Sequence, residues 1–543
     1  MNFIKNETEQ KLRGGYYTPL DLAVFLTRWV KEINPRDVLE PSCGDGIFFK
    51  AFSETGGFNG NITGFELDGI EAFKARERAK KILPMSKVEE KDFLKWAIDQ
   101  MKSGQNRFDA IIGNPPFIRY QYLPEIFQQR TEQIFDGLHL PFTKHTNAWV
   151  PFILASISLL RPGGRLAMVV PAEIMHIPHA QSLRSYLGKE CKRMVIVDPE
   201  EIWFDKTLQG TVLLLAEKRS TILDKNEGLG IYPVKGREFL KLDPEKVFST
   251  PKSINGKTIS GKWTRALLGS DALRLLDEVT ENPNIHNFKD IASVDVGIVT
   301  GANDYFLVSD EVVEKFQLSK WAHPMFGRSE HCPGIIYDEK QHKTNVERGK
   351  PTNFIWFPKE MDSEEPIAKT YITYGEMQNL QTRYKCRARE PWYSVPSVYS
   401  TEIGMLKRAH NIPRLILNKL DAFTTDTAYR IKSHIPAKTL VGSFINSLTA
   451  LSAEVEGRHY GGGVLELVPS EIEHLLIPLS GETNNDLRNL DTAIKTQPTH
   501  QLLERQDRKM LSSLGLSNQK QDLLRSSWKK LHDRRQRITA EIN

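Results

Sequence analysis

Strand-like and helical segments alternate between residues 36 and 218, and this alternation constrains the fold more than any other feature. The strand-like segments read "DVLEPS", "NITGFEL", "KVEEKDF", "FDAIIGNPP", "RLAMVVP", "RMVIVD" and "TVLLLAEK". Strands that alternate with helices predict a mostly parallel β-sheet with helices on both faces. We therefore expect an α/β domain whose ligand site lies at the carboxyl ends of its strands, where the connecting loops meet.

The alternation ends after Lys218, which indicates more than one domain. A chain of 543 residues also exceeds what one hydrophobic core usually supports. The segment up to residue 480 is rich in prolines, aromatic residues and short mixed strands, whereas later residues have helical spacing. We expect a catalytic α/β domain at 1–235, a mixed α/β domain at 236–480, and a helical, basic C-terminal segment at 481–543.

The composition excludes several classes of protein. A hydrophobic fraction of 40% and a charged fraction of 26% are those of a globular protein, and no apolar run reaches the roughly 18 residues that cross a bilayer. The cytoplasm is therefore the expected compartment, with no membrane partner. Cys43, Cys191, Cys332 and Cys386 lie far apart without a CxxC pair, which predicts reduced thiols and no metal site.

The excess positive charge lies at the C-terminal end. The formal net charge is +5, and residues 501–543 alone contain ten Lys or Arg and five Asp or Glu. A local basic surface is typical of proteins that contact phosphates, although a solvated helix end has the same composition. Apolar side chains recur at helical spacing on one face of this segment and would dock it on the protein body: Leu523, Leu524, Trp528 and Leu531.

A glycine-rich turn follows the first predicted strand. "VLEPSCGDGIFFKAF" joins that strand to an apolar helix through Gly44-Asp45-Gly46, where glycine permits a sharp turn or the close approach of a ligand. Glu66 and Asp92 end the next two strands; each could also be a surface carboxylate or a helix cap. Phe49 stands where a dinucleotide-binding motif has its third glycine. A cationic nucleoside without phosphates, such as S-adenosylmethionine, therefore fits better.

The fourth predicted strand ends in "GNPPF". Two consecutive prolines donate no backbone hydrogen bonds and have a fixed φ, so they form a stiff, open loop at the carboxyl edge of the sheet. This loop carries one amide, Asn114, and one aromatic ring, Phe117.

In this combination and order, the chain resembles the class I S-adenosylmethionine-dependent DNA adenine-N6 methyltransferases of type II restriction-modification systems, with the gamma-type motif order. The residues that carry the resemblance are Gly15-Tyr16-Tyr17-Thr18-Pro19, Glu40 to Gly46, Glu66, Asp92-Phe93, Asn114 to Phe117 and "LLRPGGRLAMVVP" from Leu159 to Pro171. The resemblance implies a Rossmann-like methyltransferase domain that is followed by a target-recognition domain. Two later segments, "VDVGIVTGANDYFLV" and "GRHYGGGVLELVPSEIEHLLIPL", look like parts of the family's target-recognition domains.

The resemblance also implies a cofactor site for S-adenosylmethionine. Thr18 would contact the methionine carboxylate, Glu66 the ribose, and Asp92 with Phe93 the adenine. Phe152 would pack beside the adenine, although it could equally be an ordinary core residue. The whole implied set is Tyr17, Thr18, Glu40, Pro41, Ser42, Cys43, Gly44, Asp45, Gly46, Glu66, Leu67, Asp92, Phe93, Asn114 and Phe152.

The implied catalytic residues are Asn114, Pro115, Pro116, Phe117 and Phe204. The exocyclic amine of a purine is a poor nucleophile because its lone pair is delocalised into the ring. The Asn114 amide oxygen and the Pro115 carbonyl can each accept a hydrogen bond from one N–H group of the amine. Together they favour a pyramidal nitrogen. The target base must leave the helix to reach this loop, and Phe117 and Phe204 would stack on it. Phe204 could also be a core residue or an exposed loop aromatic.

Two basic segments are candidates for DNA contact. "TRYKCRAREPWY", which is predicted to be a loop, carries Arg383, Lys385, Arg387 and Arg389. "WKKLHDRRQR" carries Lys529, Lys530 and Arg534. Arginine can recognise guanine in the major groove, and lysine mostly neutralises phosphate. A solvated basic edge remains the alternative for the first segment.

The sequence therefore predicts methyl transfer to adenine N6 in duplex DNA, since family members that methylate cytosine N4 usually carry serine at the Asn114 position. Double-stranded DNA is the expected partner, alongside a possible separately encoded restriction endonuclease, and no metal is expected. The alternatives are an RNA or protein-glutamine methyltransferase, because their acceptor nitrogens pose the same problem, and a non-catalytic DNA-recognition subunit of a defence complex.

Overall fold

A computed structural model describes residues 17–82, 85–104, 107–200, 210–256, 261–360, 365–460, 463–479 and 486–536. These residues form two compact units, one ending at Leu267 and the other spanning Leu268–Gln536. Phe204 lies outside the described residues, as do Gly15 and Tyr16 of the N-terminal motif.

The first unit is built on an eight-stranded sheet. Its strands are β1 (Asp37–Glu40), β2 (Asn61–Glu66), β3 (Lys87–Glu90), β4 (Phe108–Gly113), β5 (Leu160–Pro171), β6 (Cys191–Pro199), β7 (Thr211–Lys218) and β8 (Gly228–Val234). Its helices are α1 (Leu20–Lys31), α2 (Ile47–Glu54), α3 (Gly69–Ile82), α4 (Phe93–Ser103), α5 (Glu125–Gly137), α6 (Trp149–Leu159), α7 (Gln181–Glu190) and α8 (Pro244–Ser249).

The strand order in this sheet is β3-β2-β1-β4-β5-β7-β6-β8. Neighbouring strands from β3 to β5 are parallel, whereas β7 runs antiparallel to both of its neighbours. The strand order reverses between β1 and β4, so the loops that follow these two strands open into the same crevice. The predicted α/β fold with a mostly parallel sheet is confirmed.

Apolar helices cover the sheet and keep the strand ends in place. Helix α6 is almost entirely buried, as expected for "WVPFILASISL", which has no polar face. Helix α1 buries a stripe that includes Phe25 and Trp29, and these side chains join α2 in a core on one face of the sheet. Burial of such large side chains contributes roughly 1.5–3 kcal/mol each.

The second unit contains several small sheets among the described residues. Its strands are β9 (Ile285–Asn287), β10 (Ala292–Val296), β11 (Leu307–Val308), β12 (Ala322–Phe326), β13 (Ile336–Tyr337), β14 (Asn353–Ile355), β15 (Ile403–Leu406), β16 (Arg408–Ala409), β17 (Leu415–Asn418), β18 (Phe423–Thr424), β19 (Ala428–Ser433), β20 (Arg458–Tyr460), β21 (Val464–Glu466) and β22 (Leu476–Pro478). The largest sheet has the order β10-β19-β15-β17-β13 and mixes parallel and antiparallel pairs.

The helices of the second unit lie between these strands and at its C-terminal end. They are α9 (Ser270–Val279), α10 (Phe288–Ile291), α11 (Asn303–Phe306), α12 (Asp310–Phe316), α13 (Glu339–Glu347), α14 (Pro366–Met377), α15 (Tyr384–Arg387), α16 (Ala437–Ser443), α17 (Ser447–Glu456), α18 (Pro469–Ile472), α19 (Leu487–Thr496), α20 (Thr499–Met510) and α21 (Asn518–Gln536).

The two units differ from the three predicted segments. Residues beyond 235 still belong to the first unit, because Arg193 of β6 donates hydrogen bonds to the carbonyls of Phe248 (3.0 Å), Ser249 (3.0 Å) and Pro251 (2.6 Å). Helices α19 to α21 are part of the second unit, where α21 packs on α17. The helical character predicted for the C-terminal segment is confirmed.

All four cysteines are free and buried. Burial raises the pKa of both Cys191 and Cys332 to about 12, and it also raises the pKa of Cys43 and Cys386. Across the described ranges, no helix combines the length and apolar character needed to cross a membrane.

Candidate functional site

The loop after β1 has a backbone that favours glycine. Gly44 and Gly46 have φ values of 51° and 85°, and a Cβ atom on Gly46 would lie 3.1 Å from the Ala75 Cα. The Cys43 N–H donates to the carbonyl of Phe65 in β2 at 2.8 Å. The glycine turn is therefore fixed against β2 and packed closely on α3.

Glu66 ends β2 and holds this turn. Its Oε2 accepts from the Gly44 N–H at 2.9 Å, and its Oε1 accepts from the Leu67 and Asp68 N–H groups at 2.8 and 2.9 Å. These bonds orient the carboxylate at the carboxyl edge of the sheet, where the sequence predicted it. Leu67 is 72% exposed and lies next to this carboxylate in the chain.

Glu40 is a buried acid without a partner. It is 1% exposed, and neither carboxylate oxygen has a hydrogen-bond partner among the described residues. Burial raises the pKa of Glu40 well above its ordinary value, and the charges of Asp45 and Glu66 raise it further, while Arg78 opposes them. An isolated buried carboxylate is costly, so this position suits a ligand that brings a positive charge.

Asp92 and Phe93 follow β3 at the start of α4. Asp92 caps the helix by accepting from the Lys95 N–H at 2.9 Å, and it forms an ion pair with Arg130. Phe93 is 3% exposed and its ring centroid lies 5.3 Å from that of Phe152, which is 8% exposed. The helix-cap alternative for Asp92 is therefore observed, and Phe152 is a core residue that contacts the Phe93 ring.

The Asn-Pro-Pro-Phe loop after β4 lies against the N-terminal motif and the glycine loop. The Asn114 Nδ2 donates to Thr18 Oγ1 at 3.2 Å, and Ser42 Oγ donates to the Asn114 carbonyl at 3.0 Å. Pro115 is buried, and Phe117 is half-buried against the core of the first unit. Three segments that are distant in sequence thus meet around one amide.

The other predicted cofactor residues line the same region. Tyr17 is 50% exposed, and burial and the nearby Glu71 raise the pKa of its hydroxyl. Pro41 is buried, and Asp45 forms an ion pair with Arg78 at 3.1 Å. Within the described ranges, no three His, Cys, Asp or Glu side chains are grouped so that they could hold a metal ion.

The basic segment at 382–393 includes a short helix, α15, where the sequence predicted a loop. Arg383, Lys385 and Arg387 are exposed. Arg389 instead donates to the carbonyls of Val299 (2.6 Å) and Thr300 (2.9 Å), so its guanidinium connects two parts of the second unit. Its fixed position differs from that of a mobile phosphate contact.

The C-terminal helix α21 has one buried and one exposed face. Lys529 and Lys530 are exposed, and Lys529 forms an ion pair with Asp533 of the same helix. Arg534 is only partly exposed. The opposite face is buried, and it contains Leu524, Trp528, Leu531 and Arg535. Docking of this helix through its apolar face, the alternative to a phosphate contact, is observed for three of the four side chains named from the sequence, whereas Leu523 is only partly buried.

Sequence reasoning missed two polar residues near the Asn-Pro-Pro-Phe loop. Asn147 lies two residues before α6, and Glu173 lies two residues after the end of β5. A 2.9 Å hydrogen bond from Asn147 Nδ2 to Glu173 Oε1 joins them. The signal for Glu173 is its place at the carboxyl end of the strand-like segment "RLAMVVPAE", where a polar side chain meets those of the neighbouring parallel strand.

The strand order, the glycine turn after β1, the acids after β2 and β3 and the Asn-Pro-Pro-Phe loop after β4 together define a class I S-adenosylmethionine-dependent methyltransferase. Two family models match the chain in separate segments. Residues 52–204 match the Eco57I restriction-modification methylase, and residues 260–511 match the C-terminal domain of the type II methyltransferase M.Eco57I. The chain is an S-adenosylmethionine-dependent DNA methyltransferase that is similar to the type II enzymes of restriction-modification systems.

Individual relatives agree with this family. The type II methyltransferase M.AccI of Acinetobacter calcoaceticus is 22% identical over 506 residues, which cover 89% of each chain. M.BanIII of Aneurinibacillus aneurinilyticus is 27% identical over 280 residues, or 47% of this chain and 46% of the relative. A nuclease-deletion mutant of the type ISP restriction-modification enzyme LlaGI, solved with a DNA substrate mimic, shares the fold with a TM-score of 0.50 and 11% identity. That likeness covers 89% of this chain and 55% of the LlaGI chain.

Proposed function

We propose that this methyltransferase modifies adenine at N6 in duplex DNA and protects the recognition site of a separately encoded restriction endonuclease. The observation that carries the proposal is the Asn114 amide, held by Thr18 and Ser42 beside the glycine loop. Asparagine at this position accompanies adenine in the family that the chain resembles. The cytoplasm is the compartment expected from the sequence for such an enzyme.

The described residues fit S-adenosylmethionine. Its ammonium group would neutralise the unpartnered carboxylate of Glu40, and its ribose hydroxyls would reach the oriented carboxylate of Glu66. Exposed Leu67, with Asp92 and Phe93, would contact the adenine, and Thr18 the methionine carboxylate. When bound, S-adenosylmethionine supplies an electrophilic methyl group on a positively charged sulfur.

The loop then acts on the acceptor amine. The hydrogen bond from Asn114 Nδ2 to Thr18 Oγ1 orients the amide, so that its oxygen is the atom that accepts from the substrate N–H. The Pro115 carbonyl accepts the second N–H, and two pyrrolidine rings keep both acceptors in place. These two hydrogen bonds localise the lone pair on the amine nitrogen, which can then attack the methyl group. The proton leaves after transfer, so no strong base is needed beforehand.

The target adenine must be rotated out of the duplex, at a cost of a few kcal/mol. Stacking on an aromatic face offsets about 1–3 kcal/mol of this. Half-buried Phe117 would supply one face, and Phe204 the other.

The second unit would recognise the DNA sequence. Exposed Arg383, Lys385 and Arg387 are candidates for base or phosphate contacts, and exposed Lys529 and Lys530 for phosphate contacts. Arg389 and Arg534 would play a smaller part, because the first is bonded to backbone carbonyls and the second is partly covered.

A labelled-methyl assay tests the proposed function. Duplex DNA, RNA and cell protein are each incubated with the enzyme and S-adenosylmethionine carrying a tritiated methyl group, and labelled DNA is digested to nucleosides for mass spectrometry. We expect label in duplex DNA, as N6-methyladenine. Label in N4-methylcytosine, in RNA or in protein glutamine would reject the adenine assignment or the DNA substrate, and no transfer to any acceptor would favour a non-catalytic recognition subunit.

Replacing Glu66 by alanine should weaken cofactor binding by roughly 1.5–3 kcal/mol, the scale of a hydrogen bond to a charged group. This corresponds to a dissociation constant raised about 10- to 150-fold, measured by calorimetric titration without DNA. Glu77→Ala is a matched control, because Glu77 lies on the adjacent helix α3 and forms an ion pair with Lys80 of the same helix at 3.2 Å. Unchanged affinity in Glu66→Ala would remove Glu66 from the cofactor site.

Replacing Glu40 by glutamine should stabilise the cofactor-free protein and weaken cofactor binding. Burial raises the folded-state pKa of Glu40 above 4.5, so its contribution to stability is full below pH 4.5 and is lost as the pH rises through the folded-state pKa. Glutamine removes this loss. The melting temperature of the variant should therefore exceed that of wild type at mildly alkaline pH, by about 2–4 °C per kcal/mol recovered.

The two proteins should melt alike at acidic pH, and saturating S-adenosylmethionine should reduce the pH dependence of the wild type. A Glu40→Gln variant that binds the cofactor with wild-type affinity would contradict the contact with the ammonium group.

A further inference from the structure

The far end of the Asn-Pro-Pro-Phe loop is held by a second set of hydrogen bonds. The Tyr120 N–H donates to Asn147 Oδ1 at 3.1 Å, and the Ala148 N–H donates to the Ile118 carbonyl at 2.9 Å. Thr18 and Ser42 hold the near end at Asn114. The segment from Asn114 to Tyr120 is thus fixed at both ends, with Phe117 between them.

Glu173 fixes the orientation of Asn147. Its Oε1 accepts from Asn147 Nδ2 at 2.9 Å and from Trp149 Nε1 at 3.0 Å. Asn147 is 6% exposed and Trp149 is 1% exposed, so both donors depend on partners within the protein. With its nitrogen committed to a carboxylate, the Asn147 amide must present its oxygen to Tyr120.

The position of Glu173 follows from the sheet. Strands β4 and β5 are parallel neighbours, and Gly113 at the end of β4 pairs with Met168 of β5. Strand β5 continues to Pro171, and Glu173 comes two residues later. The Glu173 carboxylate therefore lies beyond the carboxyl end of β4, at the edge of the sheet where the loop begins.

A carboxylate makes stronger hydrogen bonds than a neutral acceptor does. Burial raises the pKa of Glu173 overall, and the hydrogen bonds from Asn147 and Trp149 oppose this shift. Exposed Arg119, within the loop, supplies a favourable charge. These three groups belong to the loop or to the segment that leads into α6.

We propose that Glu173, acting through Asn147, is a positioning residue that sets the far end of the Asn-Pro-Pro-Phe loop for methyl transfer. This rests on the proposed function of the loop. Displacement of reacting groups by about 1 Å can reduce a rate by about a hundredfold. Loss of Glu173 should therefore reduce kcat about 10- to 100-fold, with little change in the dissociation constant of S-adenosylmethionine, since the cofactor residues lie at the near end of the loop.

The test compares Glu173→Ala and Glu173→Gln with a control at the opposite end of β4. Asp109 Oδ2 accepts from the Arg36 and Asp37 N–H groups at 2.8 and 3.0 Å, and its Oδ1 accepts from Arg161 at 2.7 Å. Asp109→Asn thus perturbs a similar carboxylate in the same unit, away from the loop. Each variant is assayed for melting temperature, cofactor affinity, kcat and KM on duplex DNA, and amide hydrogen exchange across residues 114–122.

We expect Glu173→Ala to lower kcat and to speed amide exchange in residues 114–122 at least tenfold. Glu173→Gln keeps an acceptor oxygen, so its kcat and its amide exchange rates should be close to those of wild type. Asp109→Asn should lower the melting temperature without either effect. An unchanged kcat in Glu173→Ala, or an equal loss of kcat in Asp109→Asn, would overturn the proposal. If wild type methylates no acceptor, the proposed function is wrong. The positioning role is then tested by amide exchange alone, and unchanged exchange rates in Glu173→Ala would show that Glu173 does not hold the loop.

Discussion

Asn114→Ala should lose methyl transfer while still binding both the cofactor and DNA. In the proposed reaction, the oxygen of the side chain removed accepts from the substrate amine, and removal of one such aligned group typically costs about 10²–10³-fold in kcat. Its orienting bond to Thr18 is lost as well, but the contacts of Glu66 with the glycine loop remain. The measurement is kcat by label transfer, together with calorimetric titration of the cofactor.

Fluorescence separates chemistry from base extrusion in this variant. With 2-aminopurine in place of the target adenine, fluorescence should rise on binding in Asn114→Ala as in wild type, because rotation of the base precedes transfer. Phe117→Ala is the complementary variant and should keep cofactor affinity but lose the stacking contribution of about 1–3 kcal/mol. Near-normal turnover in Asn114→Ala would remove this side chain from the reaction.

Arg535→Ala should destabilise the second unit by about 3–5 kcal/mol, because it leaves a buried carboxylate uncompensated. Arg535 Nη2 lies 2.7 Å from Glu454 Oε1, and both side chains are fully buried. The same guanidinium donates to the carbonyls of His410 (2.9 Å) and Asn411 (3.2 Å) and also to that of Gly463. Urea and thermal unfolding would measure the loss.

The charge state of Glu454 supports this expectation. Burial alone would raise its pKa, but hydrogen bonds from His459 and Arg535 and the charge of Arg535 lower the pKa overall, so the acid is ionised in the folded protein. Arg535→Met combined with Glu454→Gln removes both charges and should recover part of the stability.

Lys529→Ala is a matched control on the same helix, since its exposed ion pair with Asp533 is worth at most about 1 kcal/mol. That variant should melt like wild type and instead reduce the salt dependence of DNA binding. If Arg535→Ala melts normally and loses only DNA affinity, α21 is a phosphate contact and not a structural anchor.

The grouping of Glu66 and Asn114 at one edge of the sheet was predictable from sequence because parallel strands end at the same edge. Glu66 and Asn114 are the last polar groups on, or directly after, apolar segments, so the order of the segments alone brings them together. The glycine turn was predictable for the same reason. Asp92 lies after its strand, as predicted. Its hydrogen bond from the Lys95 N–H depends on the residue at which α4 begins, and the presence of an aspartate does not by itself identify that residue.

Contacts made by long side chains across the chain were not predictable. Arg535 and Glu454 are 81 residues apart, and "WKKLHDRRQR" contains five Lys or Arg side chains of similar character. The packing of α21 on α17 determines that Arg535, rather than one of its basic neighbours, is buried. Asn147 and Glu173 were missed likewise, because a single polar residue between two apolar segments is typical of any loop.

The four inaccessible thiols make the natural protein a ready background for site-specific labelling. With their pKa values raised, almost no thiolate exists near neutral pH, and maleimide reagents react with the thiolate. A cysteine introduced at an exposed position in each unit, such as Lys241 and Lys438, would carry a dye pair without replacement of any native cysteine. Distances between the two units could then be followed in solution as DNA and cofactor are added.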